Sequence, residues 1–163
     1  MAASGRLRTI PCRRLVNRTP GRDDVDMNER PDGNLALRVH MMPKHTNAFG
    51  TIFGGVILSL IDQAGFDEAR NHGLHRYVTV AFERVIFLKP VYTGDVVSLY
   101  THLIDSGTSS LKIGVEVYAD RYNSTETVKV TSGSLTMVSV DNHGRPVPYK
   151  SPSTLTSDRE REA

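Results

Sequence analysis

The sequence predicts an α+β domain in which an antiparallel sheet curls around one long helix. Three observations predict it. One long apolar segment, Gly54 to about Arg70, carries helical start and stop signals. One alternating segment precedes it and four follow, each with the period of two that marks a strand. The turns between the later segments are too short for crossovers, so neighbouring strands run antiparallel. A single helix covers only part of one sheet face, which leaves apolar surface for a second subunit.

The elements read in order as follows. Leu35, Leu37, Val39 and Met41 alternate through the first strand, and a loop runs from Pro43 to Thr51. The helix holds Val56, Ile57, Leu58, Leu60, Ile61, Ala64 and Ala69 and stops near Asn71, His72 and Gly73. So little polar surface implies a helix buried nearly all round. Val78, Val80, Phe82, Ile86 and Leu88 mark the next strand, which stops at Lys89 and Pro90, where proline removes a ladder donor. Thr93, Gly94 and Asp95 make a turn. Val97, Leu99 and Leu103 mark a strand that turns at Ser106 and Gly107. Leu111, Ile113, Val115, Val117 and Ala119 give the cleanest alternation. After a polar loop from Arg121 to Thr125, Val128, Val130, Val138 and Val140 mark the last long strand, ended by Asn142, His143 and Gly144.

The chain of 163 residues is one domain, residues 34–149, between two tails. Residues 1–33 are expected to be a mobile Arg-rich segment, and residues 150–163 a polar, unpacked one. Three readings fit the N-terminal segment. It is a spacer, or the native start is Met27, or it targets an organelle, since its first 22 residues carry six arginines and no acid. The first two are preferred, so the expected compartment is the cytoplasm. The lone cysteine, Cys12, has no internal disulfide partner, which fits a reducing compartment.

Composition narrows function. The formal charge of +2 comes from that segment; the remainder holds 14 basic and 18 acidic residues, a formal −4. A nucleic-acid-binding surface is therefore not expected. No apolar run approaches the roughly 18 residues of a membrane span, so no membrane partner is expected.

Two features point to chemistry. Asp62 sits among Leu60, Ile61, Ala64 and Gly65 on the most apolar helix, where an unpaired carboxylate is costly. It is either a structural residue on a wet edge of the helix or a general base or nucleophile. Gly54 and Gly55 open the helix, where bare backbone N–H groups suit an anion or an oxyanion; a tight loop-to-helix junction would also use them. Asp62 lies eight residues after Gly54, roughly 12 Å along a helix axis. One carbonyl group cannot touch both within a chain, so if both act the site is shared by two antiparallel helices of a dimer.

Other candidates are weaker. His72 and His75 have a ligand-like spacing but read as surface residues, and no metal site is expected. His45 lacks the carboxylate pattern of a dehydratase. Ser109 and Ser110 lack a nucleophile elbow.

The run HTNAFGTIFGGVILSLIDQAG, His45 to Gly65, resembles the hotdog-fold acyl-CoA thioesterases of the YciA and brain acyl-CoA hydrolase type. So do VTVAFERVIFLKPVYTGDVV (Val78 to Val97), GTSSLKI (Gly107 to Ile113) and VDNHGRPVP (Val140 to Pro148). The resemblance spans Leu35 to Pro148. It implies that Asp62 is the catalytic aspartate and that Asn47 acts with it from the facing protomer. It implies that the backbone at Gly54 and Gly55 forms an oxyanion hole, and that Gly107, Thr108, Ser109 and Ser110 lie near the CoA nucleotide and phosphates. It also implies hydrolysis of fatty acyl-CoA by a homodimer that assembles into a trimer of dimers; no cofactor is expected, because a CoA thiolate is a good leaving group. Val56 departs from the pattern, standing where bacterial members often carry tryptophan. A non-hydrolytic acyl-CoA-binding protein and a hotdog hydratase or dehydratase are the alternatives.

Overall fold

The computed structural model describes residues 33–153 and residue 155. The N-terminal segment, apart from Gly33, lies outside them, as do residues 154 and 156–163. Strand β1 (Asn34–His40) leads through a 3-10 turn at Pro43–His45 to helix α1 (Gly54–His72). Strands β2 (Arg76–Phe87), β3 (Val96–Ser106), β4 (Ser110–Asp120) and β5 (Thr127–Val140) follow. They form one sheet in the order β1-β3-β4-β5-β2, antiparallel throughout. The strands flanking the helix in sequence therefore lie at opposite edges, and the helix packs against all five.

The core lies between the helix and one sheet face. Leu111, Ile113, Val115, Val117 and Ala119 all point into it, as their alternation predicts. Ile57, Ile61 and Ala64 of the helix meet them, with Val97 and Leu99 from β3 and Leu135 and Met137 from β5. Each such Leu, Ile or Val contributes about 1.5–3 kcal/mol on burial. A Cβ on Gly65 would stand 2.6 Å from Leu135 Cδ1, so glycine there sets how closely helix and sheet approach. At the β2–β3 turn, Gly94 takes φ +93°, a conformation that suits glycine. Beside it the buried Asp95 holds the Arg121 guanidinium at 2.5 Å and accepts the Tyr92 N–H at 3.0 Å.

Four sequence expectations need correction. The helix is not enclosed: Ser59, Gln63, Asp67 and Arg70 are exposed, and Leu58, Asp62 and Phe66 form a half-buried flank. One layer of sheet covers only one side of a helix.

The period of two also breaks in β2 and β5. Bulges interrupt β2 between Thr79 and Ala81 and between Glu83 and Ile86. Phe82 pairs with the core residue Leu135 and so lies on the helix side of the sheet, yet it is 44% exposed. Val78, Val80, Ile86 and Leu88 are exposed too, because β2 is an edge with nothing beyond it. In β5 the pairing passes from Val117–Thr131 to Tyr118–Lys129 and skips Val130. Val128 and Val130 face the core ahead of this bulge. Beyond it Leu135 and Met137 take the core positions, leaving Val138 half-buried.

The third correction concerns the C-terminal segment, whose described part is attached. Ser153 Oγ donates to the Leu74 carbonyl oxygen at 2.6 Å. The last is His75, which is 1% exposed rather than on the surface. Its Nε2 lies 3.2 Å from the Ser151 carbonyl oxygen, and its ring meets Tyr77 edge-on. His72 instead pairs with the buried Glu68 at 3.1 Å. Among the described residues no cluster of His, Cys, Asp and Glu could hold a metal ion, and no helix is long and apolar enough to cross a membrane.

Candidate active site

Asp62 lies in the middle of α1, on the half-buried flank that faces β2. Its Oδ1 accepts a hydrogen bond of 2.5 Å from Thr79 Oγ1. The carboxylate is thus half-buried and held from one side by the edge strand. Thr79 was not singled out from sequence. Strand periodicity alone could have placed it on the face opposite Val78, but only the fold brings it to Asp62.

Asn47 shapes the loop before the helix. Its Oδ1 accepts the backbone N–H groups of Phe49 at 2.8 Å and Thr51 at 3.3 Å, and its Nδ2 donates to Thr51 Oγ1 at 2.9 Å. This is the local pattern by which asparagine makes turns. A bridge between Thr46 and Ile52 and a bond from Phe53 N to the His45 carbonyl close the loop. The loop delivers the chain to a helix start with no side-chain cap and no acidic residue in its first turn. The N–H groups there carry partial positive charge. A Cβ on Gly55 would stand 2.4 Å from Phe53 Cε1, so the ring can lie against the helix start only because residue 55 is glycine.

The remaining site residues fall at the other end of the sheet. Ser110 pairs with Val138, which pairs with Val78, so Ser110 lies in the row next to that of Thr79 but two strands across the sheet from it. Gly107 N donates to the Ser110 carbonyl at 2.9 Å. The turn is braced from behind: Ser139 N and Oγ donate to the Ser109 carbonyl, and Tyr149 N to the Thr108 carbonyl. Phe87, by contrast, pairs with Thr131 and lies beside Gly54.

The structure therefore makes two groups of the expected residues. Asn47, Gly54 and Gly55 stand together at the helix start. Asp62 and Thr79 stand together further along the helix, and the Gly107–Ser110 turn lies two strands away across the sheet. No hydrogen bond among the described residues joins Asn47 to Asp62.

The sheet and helix form a hotdog arrangement, and comparison with known proteins gives the class, a thioesterase. The thioesterase superfamily model matches residues 49–123. An uncharacterized acyl-CoA thioester hydrolase of Zymomonas mobilis is 42% identical over 131 residues, 79% of this chain and 88% of its own. Acyl-CoA thioester hydrolase YciA of Escherichia coli K12 is 40% identical over 119 residues, 71% of this chain and 90% of its own. Among solved structures, the hexameric thioesterase y2039 of Yersinia pestis superposes with a TM-score of 0.71 at 40% identity, covering 75% of this chain and 99% of its own. Cj0915 of Campylobacter jejuni, a hexameric hotdog-fold thioesterase, gives 0.70 at 38%, covering 82% and 97%. The chain belongs to the acyl-CoA thioester hydrolase family of the thioesterase superfamily.

Proposed function

We propose that this chain hydrolyses acyl-CoA to a free carboxylic acid and CoA, at a site that two protomers share. The observation that carries the reading is Asp62, a half-buried carboxylate in the middle of the helix, held by Thr79. The relatives named as acyl-CoA thioester hydrolases support the substrate class.

The chemistry follows from the residues. The thioester carbonyl oxygen is received by N–H groups at Gly54 and Gly55, which stabilise the negative charge as the carbon becomes tetrahedral. Asp62 of the facing protomer either takes a proton from the water that attacks the carbonyl carbon, or attacks that carbon itself to form a mixed anhydride that water then hydrolyses; both routes consume one water and end in the same products. The C–S bond breaks and CoA leaves as its thiolate, which then takes up a proton. A thiolate is a good leaving group, so the route calls for neither metal nor cofactor. Asn47 holds the loop that presents the helix start and orients the water or the carbonyl. The Gly107–Ser110 turn, two strands across the sheet from Thr79, receives the nucleotide end of CoA.

The partner is a second copy, with three dimers forming the full assembly. Strand β2 supports this reading. It is an edge of twelve residues with Val80 57% exposed and Phe82, Ile86 and Phe87 exposed around it. Such an edge is a ready template for another strand. The solved relatives from Yersinia pestis and Campylobacter jejuni are hexamers. The proposed compartment is the cytoplasm; imaging the full chain against one starting at Met27 tests whether the arginine-rich segment directs it elsewhere.

Thiol release tests the function. Purified protein is given butyryl-, octanoyl- and palmitoyl-CoA with a thiol-trapping dye. Turnover of at least one ester is expected. Binding of all three without thiol release would sink the reading in favour of an acyl-CoA-binding protein.

A further inference from the structure

Two contacts align helix α1 with strand β2. Asp62 accepts its hydrogen bond from Thr79, and Gly54 lies against the ring of Phe87. The stretch Gly54 to Asp62 therefore runs past the stretch Phe87 to Thr79 in the opposite direction. Leu58 is the middle of the first stretch and Glu83 the middle of the second, so these two residues are level.

The shared site fixes where two copies meet. It sets Gly54 of one helix opposite Asp62 of the other, and the reverse by symmetry. A twofold axis that does this passes midway between them, at Leu58. Leu58 lies on the half-buried flank with Asp62 and Phe66. Because Leu58 is level with Glu83, the same axis crosses the two β2 edges at Glu83 and Arg84.

That part of β2 carries a local strain. A bulge breaks the pairing with β5 between Glu83 and Ile86. Inside it Arg84 takes φ +50°, the one positive value on a residue other than glycine among the described residues. Such a backbone persists only where its surroundings hold it. Arg84 is exposed, and its guanidinium has no hydrogen-bond or ion-pair partner among the described residues. Glu83 is held firmly: the Thr136 hydroxyl donates to its Oε1 at 3.0 Å, and Lys112 pairs with its Oε2. Each of those oxygens has a lone pair left for a further donor.

We infer that the two β2 edges meet antiparallel at this bulge, and that Arg84 of each protomer pairs with the partner's Glu83. The inference rests on the shared-site reading, which supplies the axis. Bulges re-aim side chains, and this one turns the guanidinium across the edge to a fixed carboxylate. Symmetry makes the contact twice. The same register sets the exposed Val80 opposite the partner's Ile86 and Phe87, so exposed apolar surface meets its like.

The test reads assembly, by sedimentation over a dilution series, and so does not depend on turnover. Arg84→Glu sets two carboxylates together at each contact and should raise the dissociation constant of the dimer roughly a hundredfold, about tenfold per contact. Glu83→Arg sets two guanidinium groups together and should do the same. Mixed, the two variants should associate with each other nearly as well as wild type, since both contacts of the mixed dimer again join opposite charges; differently tagged chains identify it by mass spectrometry. Arg84→Gly separates strain from pairing. Glycine suits the positive φ, so the protomer's melting temperature at high dilution should hold or rise while the dimer weakens roughly tenfold. A loss of both together would mean that Arg84 serves only its own fold. Assembly that ignores residue 84, or charge variants that do not recover on mixing, overturns the inference. Thiol release by the same wild-type protein judges the hydrolase reading separately.

Discussion

Thr79 on the edge strand and Asp62 on the helix, 17 residues apart, are joined by a hydrogen bond of 2.5 Å. The bond fixes one oxygen of the carboxylate and leaves the other for chemistry. Asp62→Ala should therefore lower kcat by about 10²- to 10⁴-fold with the fold intact. Thr79→Val should cost roughly ten- to a hundredfold in kcat with little change in KM, because it frees the carboxylate to rotate away. Thr79→Ser should recover most of the loss. Circular dichroism and steady-state kinetics measure both. Near wild-type turnover by Asp62→Ala would remove the residue from the mechanism.

The succession of elements, the single helix and its limits were legible in the sequence because apolar periodicity and turn residues are local; the order of the strands in the sheet was not, since β2 pairs with β5 rather than with β3. The helix expected from Gly54 to about Arg70 runs to His72. Asp62 stood out as a charge among Leu60, Ile61 and Ala64. The bulges at Val80 and Val130 were not legible, since a bulge is a property of two paired strands rather than of one segment. Thr79 was missed because it looks like an ordinary strand threonine until the fold brings it to Asp62. His75 was misjudged because the segment that buries it, around Ser151, is 76 residues away.

The exposed edge makes a prediction about assembly. Val80 sits at the β2 bulge with more than half its surface exposed. Val80→Glu places a charge on the strand proposed to meet its partner, a device that keeps natural edges single. The protomer should fold, since Val80 adds nothing to its own core. Light scattering should show monomers, and turnover should fall by roughly 10²- to 10³-fold as each Asp62 loses the oxyanion donors opposite it. Full activity in a confirmed monomer would refute a shared site.

Acid should loosen the turn after β5. The Arg145 and His143 N–H groups donate to Asp141 Oδ1 at 2.9 and 2.8 Å and hold its carboxyl below its ordinary value of 3.8. On β2, the Lys112 ammonium, followed by Thr136, does the same for Glu83, below 4.5. A depressed folded pKa gives stability that is present above the unfolded pKa and lost as pH falls through the folded one. Melting temperature should therefore drop as pH falls below about 4. Asp141→Asn keeps the acceptor but not the charge, so it should melt below wild type at pH 7, with the gap closing at pH 3. An identical gap at both values would mean that the charge plays no part.

The division of the site residues into two groups can be tested by mixing. Asn47, Gly54 and Gly55 stand at the helix start, and Asp62 lies about 12 Å further along the same helix. Each site should then combine the helix start of one protomer with Asp62 of the other. Asn47 belongs to the first group whether it touches substrate or only holds the loop through Phe49 and Thr51. Asp62→Ala and Asn47→Ala homodimers should each be nearly inactive. After the two are unfolded together and reassembled, half the dimers should be mixed. A mixed dimer carries one site with both defects and one with neither. Activity should return to about a quarter of wild type. Subunit exchange, confirmed by mass spectrometry of differently tagged chains, with no recovery would place Asn47 and Asp62 in one chain's site and refute the shared arrangement.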